Sequence, residues 1–209
     1  MSLWAALWIV AAAKGGSVTG TVTMKTPAGD NVPAIVVYVT GFTEDATPRH
    51  VVMLQRERRF VPDVLAITRG QTVDFSNQDD IWHNVFSVSK ARAFDLGMMK
   101  KPETKSVTFS KTGVIDIYCN IHPSMTGTIL VLPNRAFALV EPGHAYRIDA
   151  VPAGDYRIFA WSRRSDVQQR DLHIDEGRTV PIDWQLERSS AETPHKNKYG
   201  QEYRSGSGY

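Results

Sequence analysis

Residues 119–125 read Cys119-Asn120-Ile121-His122-Pro123-Ser124-Met125, so a thiol, an imidazole and a thioether recur at every third position of one short segment. A second imidazole, His83, lies upstream in Asp79-Asp80-Ile81-Trp82-His83-Asn84-Val85-Phe86. Two imidazoles, one thiolate and one thioether are the donors of a trigonal copper plane with a long axial methionine. Thiolate and thioether favour Cu(I), whereas imidazole accepts both oxidation states. A site fixed between their geometries need not reorganise when one electron moves. With 6 His and 6 Met in 209 residues, His and Met fall at those offsets from a given Cys by chance less than about one time in a thousand.

Cys119 is the single cysteine of the chain. One thiol forms no internal disulfide, four-cysteine zinc site, iron–sulfur cluster or two-cysteine copper centre. It can be an inert buried thiol, a nucleophile, or one ligand of a mixed site. The remaining histidines, His50, His144, His173 and His195, show no His-x-His pairing and sit in polar contexts, so they read as solvated. The paired histidines of an oxygen-reducing multicopper cluster are therefore missing. No G-x-S-x-G, H-E-x-x-H or Gly-rich phosphate loop is present, and the chain does not read as an enzyme.

The elements that must position these donors are strands. Helical periodicity is nearly absent, and short alternating runs are split by Gly, Pro and Asn turns, which predicts an all-β chain. Ser17 to Thr23 alternates, a turn at Thr26-Pro27-Ala28-Gly29-Asp30 follows, and Ile35-Val36-Val37-Tyr38-Val39 is apolar enough for a central strand. Gly41 to Arg49 is polar and loop-like. Val73 and Phe75 share one face, as do Ile115, Ile117 and Cys119, because side chains alternate with period two. Cys119 thus ends a strand on its apolar face. Met98-Met99-Lys100-Lys101 reads as a flexible surface hairpin. After Pro133-Asn134 further strands are expected at Phe137–Val140, Tyr146–Ile148, Tyr156–Trp161 and Val180–Trp184.

Composition narrows the class. Hydrophobic residues make up 42% and charged residues 22%, a soluble balance, and the net charge of +2 offers no nucleic-acid footprint. Leu3 to Ala13 is an apolar run with small residues at Ala11 and Ala13. It suits the h-region and cleavage site of an export signal, although no Lys or Arg precedes it, and it is too short for a membrane span. Ser189 to Tyr209 contains no Val, Leu, Ile, Met, Phe or Trp, so it reads as disordered or draped.

Phe60 to Val131 resembles the cupredoxins, the plastocyanin, pseudoazurin and amicyanin family. The matching features are Phe60-Val61-Pro62, Gly70-Gln71-Thr72-Val73-Asp74-Phe75, Asn77, His83-Asn84-Val85-Phe86 and the Cys119 loop. The two-residue spacings on both sides of His122 resemble amicyanin in particular. Phe94-Asp95-Leu96-Gly97 and Cys119-Asn120-Ile121-His122-Pro123 resemble cupredoxins linked to methylamine utilisation. The resemblance implies a Greek-key β-sandwich holding one type 1 copper, with His83, Cys119 and His122 as equatorial ligands and Met125 axial. It also implies an outer role for Asn84, whose side chain would tie the His83 strand to the Cys119 loop. The segments around this domain resemble the two halves of a carboxypeptidase regulatory-like sandwich, opening at Gly16–Val22 and closing at Val151-Pro152-Ala153-Gly154-Asp155-Tyr156.

The expected organisation is a signal peptide at 1–14, a discontinuous second sandwich from 15–45 plus 134–188, a cupredoxin domain at 46–133 and a disordered tail at 189–209. The expected function is an exported, periplasmic carrier of single electrons. The resemblance implies redox partner proteins, a quinoprotein amine dehydrogenase and a cytochrome c among them, with no nucleic acid and no stable membrane span. The rival reading is a periplasmic copper carrier or sensor without an electron-transfer role.

Overall fold

The computed structural model describes residues 15–26, 33–45, 47–163, 165–188 and 195–203. The run read as a signal peptide, most of the turn at 26–30, and residues 189–194 and 204–209 of the tail lie outside the described residues. Strands account for all the regular structure described: β1 (Gly16–Lys25), β2 (Ile35–Thr40), β3 (His50–Arg56), β4 (Arg59–Val61), β5 (Val64–Thr68), β6 (Thr72–Asn77), β7 (His83–Ser89), β8 (Arg92–Met99), β9 (Thr104–Thr108), β10 (Gly113–Tyr118), β11 (Thr126–Leu132), β12 (Phe137–Val140), β13 (Ala145–Val151), β14 (Gly154–Trp161), β15 (Gln168–Ile174), β16 (Thr179–Pro181) and β17 (Trp184–Glu187). No helix among the described residues is long and apolar enough to cross a membrane.

Strands β3 to β11 make one sandwich of two sheets, ordered β4-β3-β6-β9 and β5-β11-β10-β7-β8. Most pairs are antiparallel, but β3 runs parallel to β6 and β11 parallel to β5. Period-two alternation sets what lies between the sheets. Val73, Phe75, Ile115, Ile117 and Cys119 are fully buried together with Met53, Val85, Phe109, Met125 and Ile129. Asp74, Asp116 and Tyr118 point the other way and are only partly covered.

The other strands make a second sandwich, with sheets β12-β2-β14-β15 and β13-β1-β16, the end of β1 passing on to β17. Its core includes Val18, Val22, Ile35, Val37, Ile148, Ile158 and Trp184. Gly20 lets β1 pass against the backbone between β16 and β17, since a Cβ there would collide with the Ile182 carbonyl.

Strand β2 is apolar from Ile35 to Val39 because both of its faces are covered. Ile35, Val37 and Val39 face the core of the second sandwich. Val36 packs with Val64, Leu130 and Leu132, alongside Tyr38, Phe137 and Trp161, where the two sandwiches meet. At the crossing Asn134, buried to 1% exposure, donates from Nδ2 to Val39 O at 3.1 Å and Phe42 O at 3.0 Å, and accepts from Ala136 N–H at 3.0 Å. Glu44 N–H donates to Pro133 O at 3.0 Å, so the chain enters and leaves the first sandwich at one point.

Several local expectations differ from the structure. The Met98-Met99 pair is no loose hairpin: it ends β8, and Met99 is fully buried in the core of the first sandwich. The Val180–Trp184 run divides into β16 and β17 without a change of register along β1; at the break the Thr21 N–H donates to the Asp183 side chain at 2.7 Å. Strand β15 reads as polar in sequence. Only Leu172 and Ile174 face inward, while the rest of the strand is paired to β14 through its backbone.

Candidate metal centre

The end of β10, the start of β11 and the start of β7 converge at one edge of the first sandwich. Cys119 follows β10 directly, Met125 precedes β11, and His83 opens β7. Two backbone bonds shape the intervening loop, from Cys119 N–H to Met125 O at 3.1 Å and from Met125 N–H to His122 O at 3.0 Å. The loop therefore folds back so that its third-position residues turn inward. Cys119, Met125 and His83 are fully buried, whereas His122 retains 9% exposure.

The donor atoms of His83, Cys119 and His122 lie within 4.8 Å of one another. His83 Nδ1 and His122 Nδ1 are 3.1 Å apart, and Cys119 Sγ lies 3.6 Å from His122 Nδ1. The outer nitrogen of His83, Nε2, lies 2.7 Å from Asp79 Oδ2 and donates to it. With Nε2 engaged there, Nδ1 is the ring nitrogen turned towards His122 and Cys119. Asp79 is itself fixed by the N–H groups of Glu57 at 2.7 Å and Arg58 at 3.0 Å. Burial pushes its carboxyl up, but the Arg58 N–H, the His83 ring and the Glu57 N–H outweigh it and hold it below the ordinary carboxylate range. Asn77 shapes the turn that carries Asp79, accepting from Asp79 N–H at 2.9 Å and donating to Ile81 O at 2.9 Å and Met99 O at 3.0 Å.

The sulfur sits in a mixed environment. Burial pushes the Cys119 thiol up, and N–H groups of Asn84, Ile121 and His122 oppose that shift. Burial, then the neighbouring His83 ring, pushes His122 down. Burial thus favours the protonated thiol, whose proton a bound cation would displace. One soft sulfur and two converging imidazole nitrogens in a water-poor pocket fit a single copper ion, which when bound would supply a one-electron couple.

Asn84 is placed differently from the expectation. Its side chain stays on its own sheet, donating to Asp95 Oδ1 and Gly97 O at 2.8 Å each, and does not reach the Cys119 loop. The link to the loop is its backbone N–H, which lies 3.5 Å from Cys119 Sγ. The register of β7 against β8 explains this, because the bulge between Asn84 and Phe86 turns the Asn84 side chain towards Asp95 and Gly97.

Sequence reasoning gave the acidic turn before His83 no role, so it missed Asp79. The available signal was a carboxylate four residues before a metal-ligating type of residue. It also placed His195 in solvent. Instead the His195 ring stacks on Tyr118 with centroids 4.2 Å apart. His50 and His173 do lie at the surface, each paired with an aspartate, Asp74 and Asp155.

Residues 50–132 match the model of the copper binding proteins of the plastocyanin/azurin family. The chain is 36% identical over 70 residues to an amicyanin of Paracoccus denitrificans, covering 32% of this chain and 53% of that one. It is 32% identical over 84 residues to an amicyanin of Paracoccus versutus, covering 39% and 63% respectively. The chain therefore spans between half and two thirds of the length of these relatives. Among solved structures, a reduced amicyanin variant aligns at 30% identity with a TM-score of 0.38, over 40% of this chain and 82% of that chain.

Proposed function

We propose that this chain, a cupredoxin of amicyanin type over residues 50–132, is an exported type 1 copper protein that carries single electrons between redox partner proteins. His83, Cys119 and His122 would hold the metal in its plane and Met125 would complete the set from the end of the same loop. The observation that carries the reading is the meeting of the three donor atoms within 4.8 Å in a buried pocket. Closed ligation of that kind favours an electron carrier over a copper-delivery protein, because handing on the metal requires ligands that can be exchanged. The likeness to amicyanin is the ground for reading the protein as a carrier and not an enzyme. Export rests on the apolar run from Leu3 to Ala13.

Electrons would pass at the His122 edge. His122 is the ligand with residual exposure, and Pro123, Trp82 and Met98 beside the ligand-bearing segments are exposed. Exposed apolar residues around a ligand edge suit the small, quickly dissociating interfaces of redox encounters. A quinoprotein amine dehydrogenase as donor and a cytochrome c as acceptor fit the likeness to amicyanin. The strands outside the cupredoxin domain are read as one discontinuous carboxypeptidase regulatory-like sandwich, a reading supported by the pairing of β2 with both β12 and β14.

The test is reconstitution with Cu(II). An intense visible thiolate charge-transfer band and a reversible one-electron potential are expected. A colourless protein that binds only Cu(I) would favour the copper carrier instead. Pro123→Glu should then slow electron exchange with a cognate partner while leaving the band in place. Unaltered exchange would move the docking face elsewhere.

A further inference from the structure

Residues 195–203 lie against the metal loop and contact it at several separate points. Tyr203 donates its hydroxyl to the Cys119 carbonyl at 2.7 Å. His195 Nε2 donates to the Pro123 carbonyl at 2.7 Å. The Lys198 N–H donates to Asn120 Oδ1 at 3.0 Å, and Lys198 Nζ pairs with Asp95 Oδ2 at 2.6 Å. Asp95 is the carboxylate that also accepts from Asn84 Nδ2 at 2.8 Å, and the Asn84 N–H faces Cys119 Sγ. Rings fill the space between these bonds: His195 stacks on Tyr118, and Tyr203 meets His195 edge-on with centroids 5.2 Å apart.

We propose that residues 195–203 form a clasp that holds the Cys119–Met125 loop in its ligand geometry, with Tyr203, His195 and Lys198 as positioning residues. The bonded carbonyls, those of Cys119 and Pro123, lie on either side of His122 in the chain. The clasp thus fixes both ends of the turn on which His122 is carried. The loop's own two backbone bonds fix its closure but leave those carbonyls without a partner in the loop. None of the clasp side chains touches a donor atom, so their effect is to reduce how often the loop opens. A net hydrogen bond corresponds to roughly a 2- to 10-fold change in such an opening equilibrium. Composition gave no sign of this role, since the segment has no aliphatic residue to bury. It docks through two aromatic rings, a lysine and backbone groups.

The test uses the full-length copper-free chain and the variants Tyr203→Phe, His195→Ala and Lys198→Met. Amide hydrogen exchange is followed at Cys119 and Met125, whose N–H groups close the loop, and at Val73 and Ile115 as controls in the sandwich. Each variant is expected to speed exchange at the loop amides roughly 2- to 10-fold with the controls unchanged. Loop exchange at the wild-type rate in all three variants would overturn the proposal, as would equal acceleration at the controls. A second readout rests on the copper reading above: the variants should release copper to a chelator faster by a similar factor. Faster loop exchange in a chain that takes up no copper would leave the clasp standing and refute the copper reading.

Discussion

The Asp79 carboxylate accepts a hydrogen bond from Nε2 of His83 at 2.7 Å, while the Nδ1 of the same ring lies 3.1 Å from Nδ1 of His122. One carboxylate on a surface turn therefore decides which face of a buried imidazole is free for a metal. Removing such an outer partner commonly costs 10- to 100-fold in metal affinity. Asp79→Ala should weaken copper binding by roughly that factor in a chelator competition, with a smaller effect on the apo-protein's melting midpoint. An unchanged affinity would show that loop packing alone orients His83.

Cys119→Ser should remove the visible thiolate band and leave the strands in place. The core around Val73, Phe75, Ile115 and Ile117 packs without help from a metal, and a buried hydroxyl in place of the thiol costs about 1 to 3 kcal/mol. The absorption spectrum and the far-ultraviolet dichroism of the variant check both halves. Retention of the band would refute the ligand assignment.

Excision of residues 45–132, with a short linker joining the flanks, should leave a folded, copper-free sandwich. Glu44 and Pro133 are hydrogen-bonded across the point of excision, so the linker has almost no distance to span. Val36, Tyr38, Phe137 and Trp161 lose their cover in that product, which should make it self-associate unless Val36 is made polar. A dispersed amide NMR spectrum checks the fold. An unfolded product would mean that the second sandwich depends on the first.

Alkaline pH should unfold the second sandwich through Tyr146. Burial pushes its phenol up to about 12, and its hydroxyl donates to Ile182 O at 2.7 Å and accepts from Trp184 Nε1 at 3.2 Å. The neutral form is the one the fold favours. Its contribution is complete below the unfolded value near 10 and is lost as pH rises from about 10 towards 12, up to about 3 kcal/mol. Tyr146→Phe should lose stability at neutral pH, because it orphans the Ile182 carbonyl and the Trp184 N–H, but should show a shallower decline between pH 10 and 12. Denaturant titrations at stepped pH compare the two slopes, and equal slopes would assign the alkaline loss to other groups.

The sequence by itself determined whatever is decided over a few residues. Period-two alternation put Val73 with Phe75 and Ile115 with Ile117 and Cys119, because a strand's pleat admits no other placement of consecutive side chains. The three-residue spacing of Cys119, His122 and Met125 marked one loop as donor-rich, and the unbroken apolar run of β2 announced a strand covered on both faces. Only the tertiary structure decided what joins distant segments. It paired β2 with β12 and β14 across the whole first sandwich. It turned the Asn84 side chain to Asp95 and left only its N–H for Cys119, since a bulge in register shifts side chains without altering composition. It buried Met99, whose lysine neighbours suggested surface. And it laid residues 195–203 on the metal loop, where the binding energy comes from hydrogen bonds and ring contacts that carry no periodic signal, so no local pattern could announce them.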